Sequence, residues 1–589
     1  MNTAAKSAVS FWRRVTLGWL CASVLIALTC LPDILRQHYP DPDDTMRRLQ
    51  VRDLLGGQSW WDVSQHRLAS GMMHWSRLVD LPIAAVVLPL RPWFGELTAE
   101  RVAMVAVPLV TFGLVLALAA HLTRRLLGEE HAALALVIVS LSVPLMFQLR
   151  PMRIDHHGWQ VVLALAALDA FARSRGDIRS GVAGGTMLAI LLTISLEGLP
   201  IAAALLGLVA LTWALDPARR GQLVGATGAT FVGAALLQAA TRGPAFFTPA
   251  CDAVSPVWLA VLATAALATW LATLAGSARL PIRLGLLALG GAACAGVLVL
   301  VDARCVAGPF GALDPLVRNL WYDKVLEGLP IWDQRPVWAL MSLWLPLVGL
   351  LGTGFALRES ADDHRFAWWF ILAAQIATLL VSVQVTRAAA TANAFAVPGA
   401  TLVLLALLRR ARRVPRALPR TIATAGALLS ATPGLAALPF LLASQSRTTA
   451  LDARHVAGLG RMPCTSAEDP RALAALPAAR LFAPLDIAPE IIAATAHQAI
   501  ASGHHRNAAA MHDVIAAFVG TPEQARRIVE RYGADYIVGC PGAQETSLYR
   551  KAAPNGFWAR LERGESFGWL QPVTLPGSPV LVWRVVRGA

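Results

Sequence analysis

Residues 102–121, VAMVAVPLVTFGLVLALAAH, form an apolar run without a single Lys, Arg, Asp or Glu. A helix needs about 20 mostly apolar residues to cross a bilayer, so this run predicts a membrane-spanning helix. Twelve further runs of this kind follow the same pattern, at residues 14–32, 131–148, 159–173, 180–197, 199–215, 221–240, 254–275, 281–301, 337–357, 366–385, 388–409 and 420–443. The chain is therefore predicted to be an α-helical polytopic membrane protein with about 13 transmembrane helices.

Two apolar stretches leave the count open. One long kinked segment could replace the two short runs that meet at Gly198-Leu199-Pro200. Residues 81–92 are apolar but too short to span, so we interpret them as an interfacial or re-entrant piece.

The composition excludes several classes of protein. Of the 589 residues, 56% are hydrophobic and 15% are charged, and the mean hydropathy is +0.54. A soluble globular domain carries about 25% charged residues. A water-soluble multidomain enzyme, a disordered chain and a disulfide-rich secreted scaffold are excluded on this ground.

The net charge of +14 is best interpreted through the short loops. Lys and Arg bias a loop to the cytoplasm, and a cytoplasmic N-terminus places arginines in every cytoplasmic loop, from Arg124 and Arg125 to the cluster at 409–420. The charge is thus a topology signal, and no nucleic-acid partner is expected. An odd number of crossings puts the C-terminal part outside. The Arg- and Ala-rich composition then predicts a bacterial inner (cytoplasmic) membrane with a periplasmic C-terminal domain.

The predicted division is a transmembrane domain at residues 1–444 and a small external soluble α/β domain at residues 445–589. The transmembrane domain carries three external segments long enough to hold chemistry, at residues 33–101, 149–158 and 302–336. In the external domain, Thr521-Pro522-Glu523-Gln524 predicts a capped helix that ends near Gly533. Residues 534–540 and 580–586 are predicted strands.

Four cysteines fall in predicted external regions. Pairing of Cys464 with Cys540 is a plausible disulfide, Cys251 with Cys305 is a second candidate, and four unpaired thiols are the alternative.

The first external loop opens with three crowded carboxylates, Asp41, Asp43 and Asp44. Such crowding is costly unless a positive charge balances it. Hard divalent cations such as Mg²⁺ or Mn²⁺ bind carboxylate oxygens and keep positions open for phosphate. The alternative is a solvated acidic turn whose charge is offset by Arg47 and Arg48.

A second cluster, Asp155-His156-His157, lies between the third and fourth predicted spans. Asp155 and His157 would share one side of an extended chain and could complete a metal site with the first cluster, which is expected on the same membrane face. A helix-capping aspartate with two surface histidines is the alternative.

Isolated charges near the external face form a third group. Glu327 lies in an apolar, Pro-flanked stretch, and Arg387 lies between two spans at a depth where a charge usually marks function. A guanidinium suits a lipid-linked phosphate because it bonds bidentately, although Arg387 could also snorkel to the interface. Arg77 could add a phosphate contact or serve as an interfacial anchor. Glu197 and Asp169 are further membrane carboxylates that could pair with a neighbouring helix.

This layout resembles the GT-C superfamily of membrane glycosyltransferases, and most of all the catalytic subunit of oligosaccharyltransferases. Asp41-Pro42 followed by Arg47 is similar to the first acidic motif of that family. Asp155-His156-His157 resembles the archaeal form of its second metal motif, in which the aspartate and the second histidine bind metal. Val325-Leu326-Glu327 resembles its short motif ending in glutamate, and Arg387 lies where members place an arginine against the donor phosphate.

The resemblance covers about residues 10–445 and implies sugar transfer from a polyprenyl-(pyro)phosphate-linked donor. Members that glycosylate asparagine carry Trp-Trp-Asp in the external C-terminal domain, whereas here Trp60-Trp61-Asp62 lies in the first loop. The acceptor could therefore be a glycan, a lipid or a protein side chain.

Residues and resemblance together imply an inverting, metal-dependent glycosyltransferase that works at the external face of the bilayer. One of Asp41, Asp43 and Asp44 would be the base, and Asp43, Asp155 and His157 would hold Mg²⁺ or Mn²⁺. Four further residues would bind substrate: Arg387, Glu327, Arg77 and His156. Of these, Glu327 would contact the metal or the acceptor. A transporter or flippase for a lipid-linked saccharide is the second hypothesis, and a non-catalytic membrane scaffold is the third.

Overall fold

A computed structural model describes residues 2–69, 71–173, 176–311, 313–360, 362–430, 447–464, 466 and 468–588. The chain forms two compact units that are each discontinuous in sequence. The first unit contains Met1–Ile34, Trp75–Gly311 and Glu327–Ala443, and the second contains Leu35–His74, Ala312–Leu326 and Ser444–Ala589. The predicted boundary at residues 444 and 445 therefore marks only one of the places where the chain passes between the units.

The first unit is helical. Its helices are Asn2–Thr29, Asp80–Phe94, Glu96–Leu127, Ala132–Leu141, Val143–Leu149, His157–Phe171, Ile178–Ile194, Leu199–Leu215, Arg220–Arg242, Pro256–Thr273, Leu280–Asp302, Pro336–Glu359, Asp362–Gln384, Ala389–Arg412 and Ala417–Leu429. Leu31–Arg36 is a short helix that contains the first boundary between the units. A helix coincides with every predicted span, although 431–443 of the last span lie outside the described residues.

Within the described ranges, nine of these helices are long and apolar enough to cross a membrane. A tenth span is possible if Glu129–Leu141 and Val143–Leu149, which meet at a 75° bend, count as one. The bend follows from Ser142 in extended backbone and from Pro144, which cannot continue the preceding helix. The fourth and fifth predicted spans are the shorter apolar helices His157–Phe171 and Ile178–Ile194. The prediction of a polytopic helical membrane protein is confirmed, and nine or ten of the 13 expected spans are full-length within the described residues.

Glycines allow two of the spanning helices to pack backbone to backbone. A Cβ atom at Gly352, on Pro336–Glu359, would lie 1.9 Å from the carbonyl oxygen of Gly399 on Ala389–Arg412. A Cβ atom at Gly399 would lie 2.1 Å from the carbonyl oxygen of Gly349. Small residues at such interfaces permit the close approach on which helix association in lipid depends.

We expect Gly352→Ala to lower the free energy of unfolding by about 1–3 kcal/mol, because the added methyl group forces the two helices apart. Gly354→Ala is the matched control on the same helix, since a Cβ atom there meets nothing within 4 Å. Thermal unfolding of both variants in detergent measures the difference. Equal stability of the two variants would contradict the packing described.

The second unit contains a five-stranded sheet. The strands are β1 (Arg480–Phe482), β2 (Gln498–Ala499), β3 (Tyr536–Gly539), β4 (Leu570–Val573) and β5 (Leu581–Val585), in the order β2-β1-β3-β5-β4. β1 runs parallel to β2 and β3, and β5 runs antiparallel to β3 and β4. The helices of this unit are Pro42–Leu55, Pro315–Leu320, Arg447–Gly458, Ala488–Ala494, Ala508–Val519, Pro522–Arg531, Gln544–Ala552 and Phe557–Arg563.

The two strands and the capped helix predicted for residues 521–586 are confirmed. The Thr521 hydroxyl accepts the backbone N–H of Gln524 at 3.3 Å, Pro522 begins the helix, and Gly533 adopts the left-handed backbone that follows it (φ 60°). Cys464 is disulfide-bonded to Cys540, and in the first unit Cys251 is bonded to Cys305. The alternative of four unpaired thiols is wrong.

Segments from earlier in the chain complete the second unit. The backbone N–H of Ala69 donates to the Ala499 carbonyl at 3.1 Å, and the N–H of Ala499 donates to the Arg67 carbonyl at 2.9 Å. Val317 is fully buried in the same hydrophobic core as Phe482. The stretch that carries Asp41, Asp43 and Asp44 thus belongs to the unit that contains the sheet.

Candidate functional site

The Asp155-His156-His157 cluster lies where the chain turns into a helix of the first unit. His157 is the first residue of His157–Phe171, and His156 precedes it with helical backbone, so the extended conformation expected here is wrong. The three side chains are buried, with 4–5% of each residue exposed. The alternative of surface histidines is therefore also wrong.

His156 bridges two carboxylates. Its Nδ1 lies 2.7 Å from Oδ1 of Asp155, and its Nε2 lies 3.1 Å from Oε2 of Glu197. An imidazole carries a proton on both nitrogens only in its cationic form, so it can donate to both carboxylates only when it is protonated. His156 thus fixes the orientation of Asp155 and ties it to Glu197.

His157 points one nitrogen at two carboxylates. Its Nδ1 lies 3.3 Å from Oε1 of Gln160, while its Nε2 lies 3.6 Å from Oδ2 of Asp155 and 3.6 Å from Oε1 of Glu327. Two ligand atoms about 2.1 Å from one ion lie about 3.0 Å apart at 90° and about 3.4 Å apart at the tetrahedral angle. The distances of 3.6 Å are a few tenths of an ångström longer than these values. Asp155, His156 and His157 form a group able to hold a metal ion, and Glu327 lies beside it.

Glu197 is the member that the sequence did not assign to the site. It lies in the 3₁₀ turn Leu196–Gly198, between Ile178–Ile194 and Leu199–Leu215, and one carboxylate oxygen forms an ion pair with Nη1 of Arg387. Its other oxygen contacts His156. Glu197 could have been suspected from its position at the external end of the fifth predicted span. Asp169, in contrast, pairs with Arg125 at 3.2 Å, as the neighbouring-helix alternative predicts.

Glu327 and Arg387 are held together by a short backbone contact. The Thr386 N–H donates to the Leu329 carbonyl at 3.1 Å, and the Thr386 hydroxyl donates to the Glu327 carbonyl at 3.2 Å. Nη2 of Arg387 then lies 3.2 Å from Oε1 of Glu327, and Nη2 of Arg153 lies 3.5 Å from its Oε2. Arg153, which was not predicted as a site residue, adds a second guanidinium to the cluster.

The side chains of the cluster differ in their exposure to solvent. The side chains of Asp155 and His157 are 1% and 5% exposed, whereas those of Glu197, Glu327 and Arg387 are partly exposed. We call this set, Asp155, His156, His157, Glu197, Glu327, Arg387 and Arg153, the carboxylate–arginine cluster. Its carboxylates contribute three negative charges and its guanidiniums two positive ones.

The other predicted site residues have different surroundings. Arg77 is fully buried in the first unit, and its Nη1 lies 3.1 Å from Oδ2 of Asp80; its role as a substrate contact stays a prediction. In the second unit, Asp41 caps Pro42–Leu55 by accepting the Asp43 N–H at 3.0 Å, and Asp44 is fully buried in that helix. Asp43 and Asp44 thus lie in the first turn of that helix, and the sharing of an ion between Asp43 and Asp155 stays a prediction.

Comparison with known proteins finds no matching family model and no matching curated protein. Solved structures of the Archaeoglobus fulgidus oligosaccharyltransferase do match. The complex of that protein, AglB, with an inhibitory peptide and a dolichol-phosphate has a TM-score of 0.64 and 15% identity, and the match covers 88% of this chain and 69% of that chain.

Two further structures of that enzyme match in the same way. The one tethered to an acceptor peptide containing the NVT sequon has a TM-score of 0.62 and 15% identity over 97% of this chain and 74% of that chain. The complex with Zn and sulfate has a TM-score of 0.54 and 16% identity, and the match covers 89% of this chain and 67% of that chain. At this identity the likeness is one of fold alone: the chain shares the fold of the Archaeoglobus fulgidus oligosaccharyltransferase.

Proposed function

We propose that this protein is a membrane glycosyltransferase that moves a sugar or oligosaccharide from a polyprenyl-phosphate-linked donor to an acceptor. The observation that carries the proposal is the carboxylate–arginine cluster. Its members come from four connections between helices, after residues 149, 194, 302 and 384, and they meet within hydrogen-bond and ion-pair distance. In the predicted topology these are all odd-numbered connections, so all lie on the external face.

The charge of the cluster defines what it can bind. Three carboxylates and two guanidiniums leave one negative charge, apart from the histidines, so these side chains alone do not attract a phosphate. Asp155 and His157, with Glu327 beside them, would hold Mg²⁺ or Mn²⁺. When bound, this ion would supply the positive charge that offsets the negative charge on the leaving phosphate.

Arg387 would contact the donor phosphate. Glu197 and Glu327 hold two edges of its guanidinium, so its plane is fixed before a ligand arrives. A guanidinium has five N–H donors and bonds phosphate oxygens in pairs. Arg387 would thereby orient the leaving group and share its developing charge.

Transfer would proceed as a single displacement with inversion. The acceptor heteroatom attacks the anomeric carbon, the bond from that carbon to the phosphate oxygen breaks, and the polyprenyl phosphate departs with the electron pair. One of Asp41, Asp43 and Asp44 would accept the acceptor proton, a step worth about 10²–10⁴-fold in rate.

The proposed location is an inner (cytoplasmic) membrane, with the N-terminus cytoplasmic and the C-terminal domain external. It rests on the arginine-rich even-numbered loops. The lipid-linked donor would then have its sugar on the external side, where the cluster can reach it.

Mass spectrometry of glycolipids and glycoconjugates from cells with and without the gene tests the function. A transferase predicts that one glycoconjugate disappears and that its polyprenyl-linked donor accumulates on the external leaflet. Donor trapped on the cytoplasmic leaflet would favour a flippase instead. Unchanged glycolipids and glycoconjugates would refute both.

A further inference from the structure

Three histidines of the second unit lie close together: His74, from the N-terminal part of the chain, and His504 and His505, from the C-terminal part. Nδ1 of His74 lies 3.0 Å from Nε2 of His504. The ring centroids of His74 and His505 are 4.8 Å apart, and the rings of His504 and His505 stack at 5.3 Å. One ligand nitrogen from each of the three lies within 4.8 Å of the others.

The backbone around these histidines is held in place by its own contacts. Met72 donates its N–H to Oδ1 of Asn507 at 3.2 Å, and Nη1 of Arg506 donates to the Met73 carbonyl at 3.3 Å. The N–H of Asn507 donates to the His504 carbonyl at 2.8 Å. The two segments that present the three imidazoles are therefore joined by hydrogen bonds outside the imidazole rings.

We propose that His74, His504 and His505 bind a zinc-type transition-metal ion. Two nitrogens about 2.0–2.1 Å from a tetrahedral zinc ion lie about 3.4 Å apart, so the ion fits between His74 and His504 after a shift of a few tenths of an ångström. Neutral imidazoles suit Zn²⁺, Ni²⁺ and Cu²⁺, whereas Mg²⁺ and Mn²⁺ prefer the oxygen ligands of the carboxylate–arginine cluster. Three protein ligands leave a fourth position for water.

The ion would link residues 71–74 to residues 502–507. The earlier segment continues back to the helix Pro42–Leu55, which begins beside Asp41 and carries Asp43 and Asp44. The bound ion would thus restrain the segment that contains the candidate base residues. The metal site itself does not depend on the proposed transfer reaction.

The test uses the full chain in detergent with Asp155→Asn and His157→Asn, which remove two candidate metal ligands of the carboxylate–arginine cluster. After chelation and exchange into excess Zn²⁺ followed by gel filtration, we expect one zinc per chain by elemental mass spectrometry. Adding His504→Ala should reduce this to none, while His455→Ala, at an exposed histidine outside the cluster, should leave it at one.

X-ray absorption on the zinc-loaded chain keeps the test decisive if His504→Ala does not fold. Three imidazole nitrogens at about 2.0 Å are expected in the ligand shell. His505→Gln should remove one of them. Zinc bound without imidazole ligands, or a zinc content unchanged by His504→Ala, would overturn the proposal.

Discussion

Replacing Asp155 with alanine is expected to reduce sugar transfer by about 10²–10³-fold while leaving the protein folded in the membrane. Asp155 places a carboxylate oxygen 3.6 Å from Nε2 of His157 and is held by His156, so its loss removes a proposed metal ligand and frees the histidine that orients it. Removing charge stabilisation of a leaving group costs about 10²–10³-fold in comparable sites. Initial rates in membranes with saturating Mn²⁺ measure the effect.

Two controls separate chemistry from folding in this experiment. Asp155→Asn keeps the shape of the side chain but loses its charge, so it should be nearly as inactive as the alanine variant. Asp333→Ala removes an exposed carboxylate from the loop that carries Glu327 and should keep full activity. Full activity of Asp155→Asn, or full activity of the unmodified protein in excess EDTA, would remove the metal from the mechanism.

The Arg387→Ala variant is expected to lose donor binding and to gain divalent-ion affinity. Arg387 is the cation shared by Glu197 and Glu327, so removing it makes the cluster more negative by one charge. Opposite charges attract more strongly and like charges repel, so Mn²⁺ should bind more tightly and the donor phosphate more weakly. We expect the KM for donor to rise about 10-fold or more, the change that corresponds to about 1.4 kcal/mol.

The opposite changes expected in Arg387→Ala, tighter binding of Mn²⁺ and weaker binding of the donor, distinguish a role in binding from a structural role. Arg387→Lys keeps the charge but loses the planar fork, so it should restore the Mn²⁺ affinity of the unmodified protein and only part of the donor affinity. Arg304→Ala, at a largely exposed arginine paired with Asp302, should change neither. Parallel weakening of metal and donor binding in Arg387→Ala would indicate a purely structural role.

The parts of the fold that local sequence encodes could be predicted. Each apolar run is helical because residues that span a membrane must satisfy their backbone hydrogen bonds within the same segment. The break at Ser142 and Pro144 lay inside a continuous apolar run, where hydropathy alone gives no sign of a 75° bend. The membership of residues 35–74 in the second unit had no local signal either, because it depends on contacts such as Ala69 with Ala499.

The same distinction applies to the site. Asp155 and His157 are two residues apart, and their proximity could be predicted even though the backbone between them is helical rather than extended. Glu197 lies 41 residues from His156 and 190 from Arg387, so its part in the site depends on helix packing. The proximity of His74 to His504 and His505 also depends on tertiary packing, since 430 residues separate His74 from His504.

The most direct test of the account is pulsed electron paramagnetic resonance on Mn²⁺ bound to the full chain in the presence of a polyprenyl phosphate. The account predicts couplings from one imidazole nitrogen, lost in His157→Asn, together with a ³¹P coupling from the lipid phosphate that weakens in Arg387→Ala. Mn²⁺ that couples to phosphorus equally well without Asp155 and His157, or that shows no nitrogen coupling in the unmodified protein, would contradict it.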